Sequence, residues 1–196
     1  MKYAVYGTPA VQPIAETAPV APLNPYGAAK AAAEQIIGWQ VATGALGAVT
    51  LRIFSVAGAS AGVADQDLTR IIPKVAAVAA GKEPAVTVNG DGGAVRDFVH
   101  VADVATAVAL ALFSNAPGDP QIYTVGAVPA SVADIIAATA RIAGRPVQVE
   151  HRPAYPGEAR ELRADTTSLR RHLGWHPHWT TLDALIADQL TATTPA

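Results

Sequence analysis

The chain has 196 residues, 51% hydrophobic and 15% charged, with a formal net charge of -2 at pH 7 and no cysteine. Such a chain can bury one sizeable core, and 16 Gly with 15 Pro, spread along its length, exclude a collagenous or low-complexity polypeptide. The charge balance argues against a general nucleic-acid surface while allowing one local basic pocket, and the absence of thiols excludes disulfide and thiolate chemistry and fits a reducing compartment.

No basic stretch followed by an apolar one opens the chain, so no secretory leader is expected. The apolar run 104–113 is about half of what a bilayer requires. The expectation is a cytoplasmic chain that neither crosses a membrane nor binds nucleic acid.

Residues 3–6, Tyr-Ala-Val-Tyr, are β-prone and stop at Gly7, which predicts a strand. Pro9, Pro13, Pro19 and Pro22 then keep the chain extended as a loop. Asn24 is a good N-cap, Pro25 suits the first helical position where no amide donor is needed, and an Ala-rich stretch with Glu34 and Gln35 propagates a helix to residue 43. Residues 49–54 read as the next strand, giving a strand-helix-strand unit whose strands run parallel through a right-handed crossover.

Helical periodicity over residues 67–81 predicts a second helix with Pro73 in its first turn and Gly81 at its end. Residues 86–88 and 96–99 are strand candidates around Gly90-Asp91-Gly92-Gly93, which reads as a turn because no long helix follows it. Asp103 opens a helix to about residue 113. Residues 121–126 form a strand, Ser131 caps a helix to residue 143, 147–150 form another strand, and the helix from Asp165 stops at Gly174. Trp175 and Trp179 read as packing residues. His172, His176 and His178 are not read as a metal site, since Gly174 and Pro177 break any helical spacing and no acidic or cysteine ligand accompanies them.

The most informative feature is Tyr26 with Lys30 one turn later on the predicted helix. Residues four apart share a helix face, so Lys30 can bring its positive charge to the Tyr26 phenol and favour loss of its proton. Two readings stand for the bare spacing: a surface helix, or a general acid/base pair.

Four segments in order, Ala4-Val5-Tyr6-Gly7, Tyr26 with Lys30, Leu51-Arg52-Ile53-Phe54-Ser55-Val56-Ala57-Gly58 and Val95-Arg96-Asp97-Phe98-Val99-His100-Val101, resemble the extended short-chain dehydrogenase/reductases. Within these the likeness is to the NAD-dependent nucleotide-sugar epimerase/dehydratase family, and to its UDP-glucose 4-epimerase-like members. It runs from about Tyr3 to about Leu190 and covers only the later part of a family member. The resemblance implies an α/β fold: a truncated doubly wound, Rossmann-like parallel sheet plus a small α/β substrate-binding subdomain. Residues 1–58 would be the remnant of the NAD-binding domain and 59–196 mainly the nucleotide-sugar subdomain, with about 100–125 returning to the sheet.

By the same resemblance Tyr26 and Lys30 are catalytic and, with Ile53 and Phe54, bind NAD, while Ser55, Arg70, Arg96 and Glu158 bind a nucleoside diphosphate sugar. Without the resemblance, Arg96 reads as an ion-pair partner of Asp97, Asp103 or Glu158. The family's third hydroxyl falls on Lys2, leaving Tyr3 or Thr8 as the nearest substitutes. Ser55 and Arg70 stand where the family has Asn, and Tyr155 where it has Arg. The Gly-rich turn that lays a cofactor pyrophosphate on a helix N-terminus precedes none of these segments.

The implied function is nucleotide-sugar 4-epimerisation, weak or absent in this chain alone. The rivals are a non-catalytic interaction module of the same family, and a sugar-nucleotide dehydratase or reductase. The open edge expected at residues 3–6 implies a homodimer or a partner carrying the first strands. Calorimetric titration of the chain with NAD is expected to show no binding, and micromolar affinity would contradict this.

Overall fold

The computed structural model describes residues 3–154, 157 and 159–193, so Lys2, Tyr155 and Glu158 lie outside the described residues. Residues Tyr3–Tyr6 form a 3₁₀ turn instead of the expected strand. No described strand runs beside them, and a 3₁₀ turn satisfies its own amides while packing Val5 and Tyr6 onto Ile14, Phe54 and Leu162. The loop that follows is tied at its middle: the Ile14 amide donates to the Arg163 carbonyl at 2.7 Å and the Ile14 carbonyl accepts from Asp165 N at 3.0 Å.

Helix α1 spans Pro25–Ala42 and begins as its sequence dictates, with Asn24 accepting the Gly27 amide at 2.8 Å and Pro25 in its first turn. Gly27 is required here, since a Cβ would stand 2.5 Å from the Ala4 carbonyl oxygen. Strands β1 (Ala48–Ile53), β2 (Ser55–Ala57), β3 (Ala59–Ser60) and β4 (Val63–Ala64) follow. Helix α2 (Ile71–Ala79) starts four residues later than periodicity predicted, because Asp65 and Asp67 hold the preceding segment through side-chain bonds to backbone amides.

Next come β5 (Val86–Asn89), β6 (Val95–His100), α3 (Val101–Phe113), β7 (Pro120–Val125), β8 (Val128–Ser131) and α4 (Val132–Ala143). The chain continues through β9 (Val149–Arg152), β10 (Glu161–Leu162), α5 (Thr167–Leu173) and α6 (Leu182–Thr193). Helix α3 begins at Val101, so Asp103 lies in its first turn, with His100 as the cap. Helix α4 carries the capping box of Ser131 with Asp134, and Gly144 and Gly174 end α4 and α5 in the left-handed conformation.

The fold is mixed α/β with parallel pairing predominant. β1 runs parallel to β7, β6 lies between β10 and β2, parallel to both, β8 joins β6 antiparallel, and β5 pairs parallel with β9. One core gathers β5, β6, β8, α2, α4 and α6, with Ile72, Val75, Ile135, Leu185 and Ile186 buried in it. A second fills the space between β1, β7, α3 and α5 with Leu51, Val99, Tyr123, Leu169 and Trp175. Trp175 is a packing residue as expected, and so is Trp179, stacked on His100.

Helix α1 is fixed to this frame by a buried charge. Arg52, only 2% exposed on β1, donates from Nε to Glu34 Oε2 at 3.0 Å, from Nη1 to the Tyr6 hydroxyl at 2.7 Å and to the Glu16 carbonyl at 2.9 Å. Its Nη2 also meets Glu34 Oε1. Burial would lower the Arg52 pKa, but the hydrogen bonds it donates to Glu34 and Tyr6 outweigh that and hold the guanidinium above its ordinary value. Arg52→Met leaves the partly buried Glu34 carboxylate without its partner, and urea unfolding is expected to show a loss of about 3 kcal/mol or more. An unchanged midpoint would contradict that anchoring role.

Candidate functional site

The cleft is built where three segments converge: the Tyr3–Tyr6 turn, the first turn of α1 and the ends of β2, β5 and β6. A cavity of about 630 Å³ is lined by Tyr3, Thr8, Asn24, Asn89 and Arg96 among others. A second, of about 240 Å³, is lined by Tyr3, Ser55, Arg70, the start of α2, Arg96 and Phe98. The two have Tyr3 and Arg96 in common. Ser55, Arg70 and Arg96, distant in sequence, thus share one cavity wall.

Each side chain has a local reason for its place. Ser55 opens β2 immediately after the buried Phe54, whose amide bonds the Val125 carbonyl at 2.9 Å. Arg70 is the residue before α2 and is steadied by Asp65 at 2.8 Å and Asp67 at 3.2 Å. Arg96 lies on β6 and donates from Nη1 to the Val95 and Ala159 carbonyls, both at 2.9 Å. Those bonds leave the guanidinium in the wall shared by both cavities.

Asp97 and Asp103, considered as partners of Arg96 from sequence, serve backbone amides instead. Asp97 accepts from Ala127 N at 2.7 Å and Ala164 N at 2.9 Å, and Asp103 accepts from His178 N at 2.9 Å and Trp179 N at 3.1 Å. Successive residues of a strand face opposite ways, so Asp97 turns into the core while Arg96 faces the cleft. Burial raises the Asp97 pKa against the pull of its amide donors. Gly126 must lack a side chain here, because a Cβ would stand 2.6 Å from the Asp97 carboxyl carbon.

Tyr26 and Lys30 do lie together on α1, and Tyr26 is 51% exposed. Their contact is a cation over a ring: Lys30 Nζ sits 5.5 Å from the Tyr26 ring centroid. Asn24, the cap two residues before Tyr26, lines the larger cavity, which puts the helix start at its rim. Of the expected cofactor contacts, Phe54 is 0% exposed beneath Tyr3, with ring centroids 4.9 Å apart, so any contact with a bound ring passes through Tyr3. Ile53 is partly buried against the core of β1 and β7.

The fit to a dinucleotide is partial. Tyr26 and Lys30 present a phenol and an ammonium suited to the nicotinamide ribose. Among the described residues none of the helices is entered from a glycine-rich turn, since Asn24, Arg70, His100, Ser131 and Thr166 occupy the caps of five and Thr181 precedes the sixth. Nothing described therefore offers the amide cradle a pyrophosphate needs. No group of three metal-ligating side chains converges, and no helix is long and apolar enough to cross a membrane, among the described residues.

The sequence reading missed the double lining role of Tyr3 and the place of Asn89 in the larger cavity. Tyr3 was legible as a β-prone residue and as a nearest substitute for the family's third hydroxyl, but its place in both cavity walls depends on Phe54, fifty-one residues away.

Comparison with known proteins shows the family and the fold. Residues 3–126 match the model of the NAD dependent epimerase/dehydratase family. The chain is 35% identical over 194 residues to a UDP-glucose 4-epimerase of Corynebacterium glutamicum, spanning 94% of this chain and 59% of that relative. It is 36% identical over 193 residues to a UDP-glucose 4-epimerase of Streptomyces lividans, spanning 94% and 58%. Among solved structures, the UDP-glucose 4-epimerase from Bifidobacterium longum in complex with NAD+ and UDP superposes with a TM-score of 0.89 at 32% identity, over 98% of this chain and 61% of that one. The chain thus spans about three fifths of the relatives it matches.

Asp97→Asn is expected to cost about 1–3 kcal/mol in urea unfolding, because the amide NH2 confronts one of two backbone donors. The raised Asp97 pKa sets the sign with pH. Its contribution in the wild type is full below the unfolded carboxyl value and is lost as the pH rises through the higher folded value, so the gap to the variant should narrow in that direction. A gap that widens with pH would contradict this account of the carboxyl.

Proposed function

The chain belongs to the NAD-dependent epimerase/dehydratase family, and from that premise we propose that it forms the nucleotide-sugar side of a UDP-hexose 4-epimerase-like site. The observation that carries the proposal is the convergence of Ser55, Arg70 and Arg96 on one cavity, with the Tyr26 and Lys30 helix starting at the rim of its neighbour. Residues 1–58 with about 100–125 then serve as the cofactor side and the remainder mainly as the substrate side.

In this reading the Arg96 guanidinium meets the diphosphate of the sugar nucleotide, where its fork of donors matches phosphate oxygens, Arg70 and Ser55 complete the grip, and Glu158 would hold the nucleotide away from its phosphates. Tyr26 takes the proton from the reacting sugar hydroxyl and later returns it. Lys30 stabilises the phenolate and holds the nicotinamide ribose, and Ile53 and Phe54 back that end of the cofactor. A bound NAD would supply the hydride acceptor for the sugar carbon whose hydroxyl proton Tyr26 takes. Because the described residues hold only one end of a dinucleotide, turnover by this chain alone is expected to be weak or absent, and the NAD-binding remainder is a partner for it. The absence of thiols and the use of a soluble sugar nucleotide favour a cytoplasmic setting.

An interaction module is the second reading, favoured by large apolar side chains left on the surface: Trp39 at 71% and Phe113 at 88% exposure, with Ile36 and Leu112 beside them in sequence. The open edge expected at residues 3–6 is replaced by a 3₁₀ turn, and among the described strands β1 pairs only with β7. Sedimentation across a concentration series is expected to show self-association, and a monomer throughout would count against this surface.

The epimerase reading is tested by calorimetry with UDP-glucose. Arg96→Gln should weaken binding by about tenfold or more. Tyr26→Phe should leave binding intact and lower whatever turnover is measured by about 10²-fold. Equal binding by wild type and Arg96→Gln would contradict the assignment.

A further inference from the structure

We propose that Gln189, buried on α6 and outside the walls of both cleft cavities, is a positioning residue that keeps Arg70 in the cleft by pinning the segment 65–70 from behind. The proposal rests on the reading of the cleft as a nucleotide-sugar site, which gives Arg70 its role, and adds a residue that none of the ligand assignments uses.

Gln189 is 1% exposed, yet its amide is only half satisfied. Its Nε2 donates to the Asp65 carbonyl at 2.9 Å and reaches Thr193 Oγ1 at 3.4 Å, while Oε1 is buried with no hydrogen-bond partner among the described residues. A buried acceptor without a partner destabilises a fold, and an apolar side chain of the same length would avoid that cost. Fold stability alone would therefore favour the apolar residue, and the amide is explained by what its donor holds.

The donor acts where packing gives little support. Asp65, Gln66 and Leu68 line a cavity of about 410 Å³ between α2 and the end of α6, so there the segment borders open space. From Asp65 onward the chain templates itself: Asp65 Oδ1 accepts the Asp67 amide at 3.0 Å, Asp67 Oδ1 the Thr69 amide at 3.0 Å, and the Asp67 carbonyl the Arg70 amide at 2.9 Å. Asp65 Oδ2 then meets the Arg70 guanidinium at 2.8 Å. With the Arg70 side chain 52% exposed, that ion pair holds it weakly by itself, and the guanidinium is only as fixed as the backbone that carries it and its partner. Gln189 joins the first residue of this series to a buried helix, and the last residue of the series enters the wall of the smaller cavity.

The test compares wild type, Gln189→Met, Arg70→Gln and the double variant. Met keeps the length of the side chain and removes both the donor and the orphaned acceptor, so the urea midpoint of Gln189→Met should be no lower than that of the wild type. Amide relaxation should nonetheless show lower order parameters over residues 65–70. In calorimetry with UDP-glucose, Gln189→Met should bind about fivefold more weakly than the wild type, and the same substitution added to Arg70→Gln should change nothing further. The proposal is overturned if the order parameters of residues 65–70 are unchanged, or if the loss of affinity persists in full on top of Arg70→Gln, as a general loosening of the fold would give. A lowered midpoint with unchanged affinity would make Gln189 a packing residue and overturn it equally. A wild type that binds no UDP-glucose defeats the nucleotide-site reading and this proposal with it, whereas wild-type binding that Gln189→Met leaves intact defeats the positioning role alone.

Discussion

A guanidinium with almost no access to water holds the helix that carries Tyr26 and Lys30. Arg52 reaches across from β1 to Glu34 on α1, to the hydroxyl of Tyr6 in the 3₁₀ turn and to the carbonyl of Glu16 in the proline-rich loop. Removing two charges from water is costly, so such a pair is a poor source of net stability unless every donor is used. Here it serves placement. Glu34 lies one turn beyond Lys30 on the same helix, so fixing Glu34 sets the rotation of α1 and with it where the phenol and the ammonium emerge. Glu16 extends the network, its carboxylate accepting the Thr124 amide of β7 at 2.9 Å, so both strands of that parallel pair are tied to the loop and the helix.

The substrate side is ordered by a different device, a buried carboxylate rather than a buried cation. Asp97 holds Ala127 and Ala164 by their amides, which locks the turn after β7 and the segment after β10 around β6. The alternation of the strand then obliges Arg96 to face the cleft. One dipeptide, Arg96-Asp97, thereby supplies a cleft cation on one face of the strand and a structural acceptor on the other.

Much of this was legible from the residues. Asn24 and Pro25 fixed the start of α1, Ser131 that of α4, and Gly174 the end of α5, because caps are local chemistry. Strands β3, β4, β8 and β10, helix α6 and the 3₁₀ turn were not legible, since pairing across the chain decides them and periodicity over a few residues does not. The grouping of Ser55, Arg70 and Arg96 came from family likeness, and the structure supplies its geometry. The contact of Lys30 with the ring of Tyr26 differs in kind from the expected approach to the hydroxyl: spacing gives a shared face, while rotamers choose which atoms meet.

The central claim is that this cleft receives a nucleoside diphosphate sugar between Tyr3, Ser55, Arg70 and Arg96. The most direct measurement is a titration of the isotopically labelled chain with UDP-glucose, followed by amide chemical shifts. The account predicts saturable shifts confined to the Tyr3–Tyr6 turn, residues 55–56, the start of α2 and β6. Shifts at millimolar ligand that cluster elsewhere, such as around Lys82 and the end of α6, or no shifts at all, would contradict it.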